Sequence, residues 1–442
     1  MIAPRLLVVL TPLLGFSAAG VGQDLVGRAV TKPAPPLAER GPVEPPPGDE
    51  DRIAEAVSGG RRLLLERQEG PERSEWPYQG VYRVRPTVDD PESLIEGVGR
   101  RRSVIPIGYR VGGTAIAGRA LARGLETDEG AERRAALERA RVFVVGCTDH
   151  PLMSPKYDGG YDVRGWGYIY ALGFLLDLRE RGLVPEAAAK ATDEAIEFYI
   201  GALHAIEIPQ TGGWNYARRG PLDRVDAVSP FMTPPGIQAL VEATRQGFPV
   251  PDGIVDRAVA GLELTRGEDG YVAYAARRPT RESAAQLPGA VGRMLAVATV
   301  RSELGLADDA EVREAFDAFV EHWNQLRARK GRQGTHQPPY GVAPYYFMYA
   351  HGYAAEAVER LPAVERPARR AQLRRLLMSV HDGDEKGWND RVFERSSAYG
   401  TSIALLALTQ PEESARSRRL PETPLPGPPV APDPGPGTSD MP

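Results

Sequence analysis

The chain of 442 residues holds one cysteine, so no disulfide can form within it and a disulfide-stapled scaffold is excluded. Its apolar runs are short. A membrane-spanning helix needs about 20 apolar residues, and the stretch from Leu6 to Phe16 offers 11. The 54 lysines and arginines are outnumbered by 59 acidic residues, and they gather into no basic block. A nucleic-acid partner is therefore excluded from the expectation. Alternating β-branched runs are scarce, so a sheet is not indicated. Also missing are a Gly-x-Ser-x-Gly elbow, a Walker loop and a dinucleotide fingerprint. No cofactor is expected.

What is present is ample core material. Hydrophobic residues make up 42% of the chain and charged ones 26%, enough for a large domain to hold itself together by packing. Cys147 closes the apolar run Val142-Phe143-Val144-Val145-Gly146 and reads as a small buried hydrophobe rather than a reactive thiol.

The N-terminus reads as an export signal over residues 1–19. Arg5 is the positive flank, Leu6 to Phe16 the apolar stretch, and Ser17-Ala18-Ala19 the small residues for cleavage. Seven prolines fall in residues 31–48 and ten in 411–442. Proline lacks the amide proton that a helix or ladder needs, so residues 20–50 read as a linker and 411–442 as a disordered tail. Residues 51–410 between them read as one domain. Exported protein of this kind is periplasmic or extracellular.

That domain repeats itself at a spacing of roughly 50 residues, which points to stacked helical pairs. First members are expected near 51–68, 131–145, 186–204, 252–265, 309–329 and 365–380. Second members are expected near 103–123, 163–181, 230–246, 283–304, 340–360 and 396–408. Phe316, Phe319, Val320 and Trp323 lie at i, i+3, i+4 and i+7, one helical face. Second members such as Ala290 to Thr299 are apolar on most sides, so they should form an inner ring. Asp252, Asp308 and Ser396 or Ser397 stand where helix caps are wanted. The fold class is all-α.

Short Gly/aromatic loops join the pairs: Gly212-Gly213-Trp214-Asn215-Tyr216, Asp269-Gly270-Tyr271, Asp158-Gly159-Gly160-Tyr161-Asp162 and Gly387-Trp388-Asn389-Asp390. With Leu63 to Gln68 as an outer-helix ending, and Gly387-Trp388 followed by Tyr399-Gly400-Thr401, the chain resembles the prenyltransferase and squalene-oxidase repeats of the terpenoid cyclase/protein prenyltransferase superfamily. The resemblance covers about 360 residues. It implies an (α/α)6 toroid with a central cavity, a fold that hosts unrelated activities.

The chain departs from that superfamily at its chemistry. The Asp-x-Asp-Asp acid of a squalene-cyclase-like enzyme is absent, Asp89-Asp90 precedes Pro91, and Asp308-Asp309 opens a helix without completing Asp-Asp-x-x-Asp. Cys147-Thr148-Asp149-His150 has zinc-binding residue types crowded on one turn, where they do not close a tetrahedral site. No metal is expected.

The remaining candidates sit in the loops feeding the second helices. Asp158, Asp162, His336 and Asp390 are the candidate catalytic groups. Tyr161, Trp166, Tyr340, Tyr346 and His351 are the candidate ligand-binding residues, since rings suit sugar faces or apolar ligands. Trp214 and Trp388 read as packing. The sequence points to an exported, non-catalytic toroid protein that binds a small hydrophobic molecule, a glycan or another exported protein. One alternative is a carbohydrate-active hydrolase or lyase, with Asp158 or Asp162 as acid/base and Tyr161, Trp166 and Tyr346 as the sugar platform. A second is a divergent terpenoid cyclase, which needs a buried acid at an aromatic cavity.

Overall fold

The computed structural model describes residues 49–80, 95–96, 103–125, 130–156, 163–215, 222–267, 270–276, 287–338 and 340–410. Twelve α-helices run through them in six pairs. The first members are α1 (Asp49–Glu66), α3 (Ala131–Gly146), α5 (Ala189–Ala205), α7 (Ile254–Glu263), α9 (Asp309–Arg327) and α11 (Arg366–Met378). The second members are α2 (Ile107–Ala122), α4 (Arg164–Glu180), α6 (Thr233–Arg245), α8 (Val291–Glu303), α10 (Tyr346–Arg360) and α12 (Ser396–Thr409). Among the described residues β-structure is limited to a two-residue antiparallel ladder, Ile95–Glu96 with Ser103–Val104, and four isolated bridges.

The even-numbered helices pack each on the next, and α12 packs on α2, so they close a ring. The odd-numbered helices lie outside, α3 on α2, α5 on α4, and so on round to α1 on α12. This is an (α/α)6 toroid, and burial explains it. Helix α9 buries the stripe Val312, Ala315, Phe316, Phe319, Trp323 and Leu326 and leaves its charged face to solvent. Helix α12 contains no charged residue and buries 11 of its 14, as a helix enclosed on all sides must. Among the described residues no helix is long and apolar enough to cross a membrane.

Glycine sets the closest approach in the ring. A Cβ on Gly108 would stand 2.5 Å from the Val163 carbonyl oxygen, and one on Gly118 would stand 2.4 Å from the Phe174 ring. Helices α2 and α4 meet over these positions, which explains the small residues on inner helices.

Three loops share one clamp. The indole Nε1 of Trp76, Trp214 and Trp388 donates to the carbonyls of Leu64 (2.6 Å), Leu203 (2.9 Å) and Leu377 (2.9 Å). Each acceptor lies in the last turn of an outer helix, where carbonyls have no intrahelical partner. The backbone N–H of the same tryptophans donates to Thr114 Oγ1 (2.9 Å), Thr233 Oγ1 (3.1 Å) and Thr401 Oγ1 (3.1 Å) on the following inner helices. One residue thus caps the outer helix and pins the inner one. Gly213 and Gly387, with φ of 69° and 59°, precede two of these tryptophans, and a Cβ on Gly387 would stand 2.2 Å from Thr401 Oγ1. The packing role expected for Trp214 and Trp388 has this physical content.

Of the expected caps, Asp308 accepts from the Glu311 N–H at 3.0 Å. Asp252 and Ser396 do not cap. Gly253 stands at the start of α7, and Ser396 Oγ donates to the Gln79 carbonyl at 2.7 Å instead.

Candidate functional site

All six inner helices run the same way, so their N-termini gather at one end of the ring. There the first turns and the loops before them supply rings to a cavity that opens to solvent. Its wall is Tyr109 from α2, Trp166 and Tyr170 from α4, Tyr349 from α10 and Tyr399 from α12, with Tyr78, Phe231, Tyr274 and Tyr345 from loops. Trp166 sits at the centre of the cluster, 5.4 Å from Tyr78 and Tyr109 and 5.0 Å from Tyr170, centroid to centroid. Its ring lies against Gly112, where a Cβ would come within 2.4 Å. Glycine at 112 is therefore what admits the indole.

Among the described lining residues the one charged side chain is Arg391. Arg391 lines the cavity, is 4% exposed, and has no hydrogen-bond partner on Nε or Nη1 among the described residues. Arg293 lies behind the wall, 5.7 Å from the Phe231 ring centre and 5.9 Å from that of Tyr274. Its Nε and Nη1 donate to the Val272 and Gly289 carbonyls at 3.0 and 2.8 Å. Burial pulls its pKa below that of an ordinary arginine. Arg329 is lowered likewise, by burial and then by Arg332 and Arg391.

A second cavity lies toward the C-terminal ends of the inner helices and shares Tyr170 with the first. It is acidic, lined by Asp177, Glu180, Glu242, Glu303 and Glu356 with Arg119 and Gln238. These carboxylates already have partners. Gln238 Nε2 donates to Glu303 (3.1 Å) and Glu356 (2.7 Å), Arg360 pairs with Glu303 at 3.1 Å, and Arg181 pairs with Asp177 at 3.1 Å. Arg245 pairs with Glu180 and Glu242. The aromatic cavity, with a guanidinium two of whose nitrogens find no partner among the described residues, is the better candidate site.

Of the residues singled out in the sequence, Asp158, Tyr161 and Asp162 lie outside the described residues. Trp166 lines the cavity as expected of a ligand-binding ring. Tyr346 stands one layer back, stacked on Phe231 at 4.7 Å and 16°, with its hydroxyl 2.6 Å from His336 Nε2. Its neighbour Tyr345 takes the cavity position, since one residue along a helix turns a side chain by about 100°. His336 stands at the rim against Tyr274 and Tyr345. Burial among these rings, and the Arg293 charge, hold its imidazole below the ordinary pKa. Tyr340 is exposed and does not line the cavity.

Two candidates belong to the core instead. His351 is fully buried: Nδ1 bonds the Phe347 carbonyl at 2.7 Å, and Nε2 accepts from Trp323 Nε1 at 2.9 Å. With both nitrogens committed it is a packing residue rather than a ligand-binding one, and burial pushes its pKa down to about 4. Asp390 is fully buried, and its Oδ2 accepts the Met348 N–H at 3.2 Å, so it caps α10 from another repeat. Burial pushes its pKa up to about 6, against the Arg391 charge that lowers it. Met348 is the third residue of α10, where an amide proton lacks a helical acceptor.

Sequence reading did not single out Tyr78, Tyr109, Tyr170, Phe231, Tyr274, Tyr349, Tyr399 or Arg391 as ligand-binding. A signal existed for several of them: Tyr109, Trp166, Tyr349 and Tyr399 are the third or fourth residues of their inner helices. Among the described residues no three His, Cys, Asp or Glu side chains stand together as a metal site.

No protein-family model matches the chain, and no curated protein matches it. Solved structures do. An unsaturated glucuronyl hydrolase specific for heparin is 12% identical, with a TM-score of 0.53, over 82% of this chain and 98% of its own. A UGL variant with dGlcA-Glc-Rha-Glc is 12% identical, with a TM-score of 0.51, over 82% and 97%. A type II terpene cyclase from Scytonema is 14% identical, with a TM-score of 0.44, over 82% and 99%. The chain shares the (α/α)6-toroid fold. At these identities the likeness is one of fold, and the chemistry has to be read from the chain's own cavity.

Proposed function

We propose that this is an exported toroid protein that binds a glycan by stacking sugar rings on the aromatic wall of its cavity. The observation that carries the reading is the wall itself. Nine aromatic side chains, seven of them tyrosines, and one arginine line the cavity. Rings supply flat apolar faces for the C–H faces of pyranoses, and phenol hydroxyls supply polar edges to meet sugar hydroxyls. Two toroid structures of TM-score above 0.5 are named for glycan substrates or carry an oligosaccharide, which favours a glycan over other ring-bearing ligands. The apolar stretch Leu6 to Phe16 with Ser17-Ala18-Ala19 behind it supports export.

Binding is favoured over hydrolysis because no carboxylate stands among the described cavity-lining residues, whereas glycoside cleavage needs two. A hydrolase or lyase would have to draw on acids outside the described lining, such as Asp158 or Asp162, which precede α4 in the sequence. The terpenoid reading would need an acid facing the cavity, and Asp390, whose Oδ2 caps α10, is not among the described lining residues.

Calorimetric titration of the full chain with neutral and acidic oligosaccharides tests the reading. At least one class should bind, and Trp166→Ala should weaken it by roughly tenfold, the loss of a stacking ring. Binding of farnesol or squalene with no oligosaccharide binding would replace the glycan by a hydrophobic ligand.

A further inference from the structure

We infer that the ligand of the aromatic cavity carries an oxyanion, a carboxylate, sulfate or phosphate, seated on Arg391. The inference rests on the reading that this cavity is the binding site. A buried guanidinium is costly unless its donors find acceptors. Arg391 is 4% exposed, yet neither Nε nor Nη1 has a partner among the described residues, and both are shielded from solvent. Its neighbours are rings: the guanidinium carbon lies 5.6 Å from the Tyr345 centroid and 5.4 Å from that of Phe393.

Among the described residues no carboxylate hydrogen-bonds to either of these two nitrogens. Arg293 and Arg329 are cations with no carboxylate paired to them among the described residues. His336 is a base whose pKa burial and then the Arg293 charge lower. Asp390 is the one acid beside Arg391. Its Oδ2 is engaged by the Met348 N–H, and it forms no ion pair with Arg391. The N-termini of the inner helices point to the same end and add their positive partial charges. Among the described residues the cavity has rings for walls, a desolvated guanidinium two of whose nitrogens lack acceptors, and no acid in its lining, and a ring-bearing anion matches these features. The planar N–H fork of arginine fits a carboxylate or phosphate edge.

Paired probes that share a sugar ring test this. Cellobiouronic acid and cellobiose differ by one carboxylate, and a 6-sulfated and a 6-phosphorylated cellobiose distinguish the source of the negative charge. At least one acidic probe should bind wild type tenfold or more tightly than cellobiose, with an affinity that falls as salt rises. Arg391→Gln should abolish the preference, and Arg391→Lys should restore part of it. Because Arg391 is an unpaired buried charge, Arg391→Met should keep or raise the melting temperature while losing the preference. A drop in melting temperature with the preference intact would mean that Arg391 serves the fold, and would overturn the inference. Equal binding of cellobiose and all the acidic probes, with Trp166→Ala weakening them alike, would sink the inference and leave the cavity reading standing. Absence of binding by every probe would overturn both.

Discussion

Replacing Trp388 by alanine is expected to destabilise the toroid by about 3–5 kcal/mol, the range for removing a large buried aromatic side chain. The indole is fully buried and packs 4.3 Å, centroid to centroid, from His381. It also donates to the Leu377 carbonyl at the end of α11. Trp388→Phe separates the two contributions. It keeps most of the ring but removes the indole donor from a carbonyl that the Val380 N–H still bonds at 3.2 Å, so the expected loss is about 0.5–1.5 kcal/mol. Gly400→Ala attacks the same joint from the inner helix. Its new Cβ would stand 2.3 Å from the Trp388 carbonyl oxygen, a contact that only a backbone shift relieves. Urea unfolding followed by circular dichroism checks all three. A Trp388→Phe variant as stable as wild type would show that the indole N–H is dispensable and that the clamp is packing alone.

The clamp shows how much of this fold was legible in the sequence. A tryptophan after glycine and a threonine in the next apolar run are local signals, and they locate repeats without any knowledge of contacts. The helical pairs follow for the same reason, since an apolar face repeats every 3.6 residues wherever the helix is later placed. The starts of α8 and α10 are where the periodic pattern misleads. The expected starts near 283 and 340 became Val291 and Tyr346. Pro288 and Pro344 stand just ahead of the observed starts, and the residue before a proline is driven out of the helical region.

The candidate site was less legible, because its meaning lies in what is missing from the neighbourhood of a side chain. Arg391 in the sequence is one arginine among many; only the assembled ring shows that two of its nitrogens have no acceptor among the described residues. His351 and Asp390 mislead in the opposite sense. Each is a residue type that active sites use, and each is occupied by a partner distant in sequence, Trp323 for one and the Met348 amide for the other. Tyr345 and Tyr346 differ by one position, and periodicity alone does not decide which of two adjacent tyrosines faces the axis.

The same two core residues give the second large prediction, a pair of opposed pH effects on stability. Burial pushes Asp390 up from 3.8 to about 6, so the folded chain holds that proton more tightly than the unfolded one. The stabilisation is present below pH 4 and is lost as pH rises through 6, about 3 kcal/mol in all. Burial pushes His351 down from 6.5 to about 4, so here the unfolded chain binds the proton more tightly. Its stabilisation is present above pH 6.5 and is lost as pH falls through 4, again about 3 kcal/mol. Between pH 4 and 6 the two slopes oppose and nearly cancel. Asp390→Asn keeps a carbonyl oxygen for the Met348 N–H and removes one slope. Relative to wild type it should gain about 2–3 kcal/mol at pH 8 and nothing at pH 4, leaving the His351 slope exposed. His351→Gln should do the reverse, closing on or passing wild type at pH 4 and falling behind as pH rises. Urea midpoints at pH 4, 6 and 8 for the three proteins measure the differences, in which titrations common to all of them drop out. An Asp390→Asn variant less stable than wild type at pH 8, with an unchanged pH slope, would show that the ionised carboxylate at the start of α10 stabilises the fold, and that burial beside Arg391 does not cost it its charge.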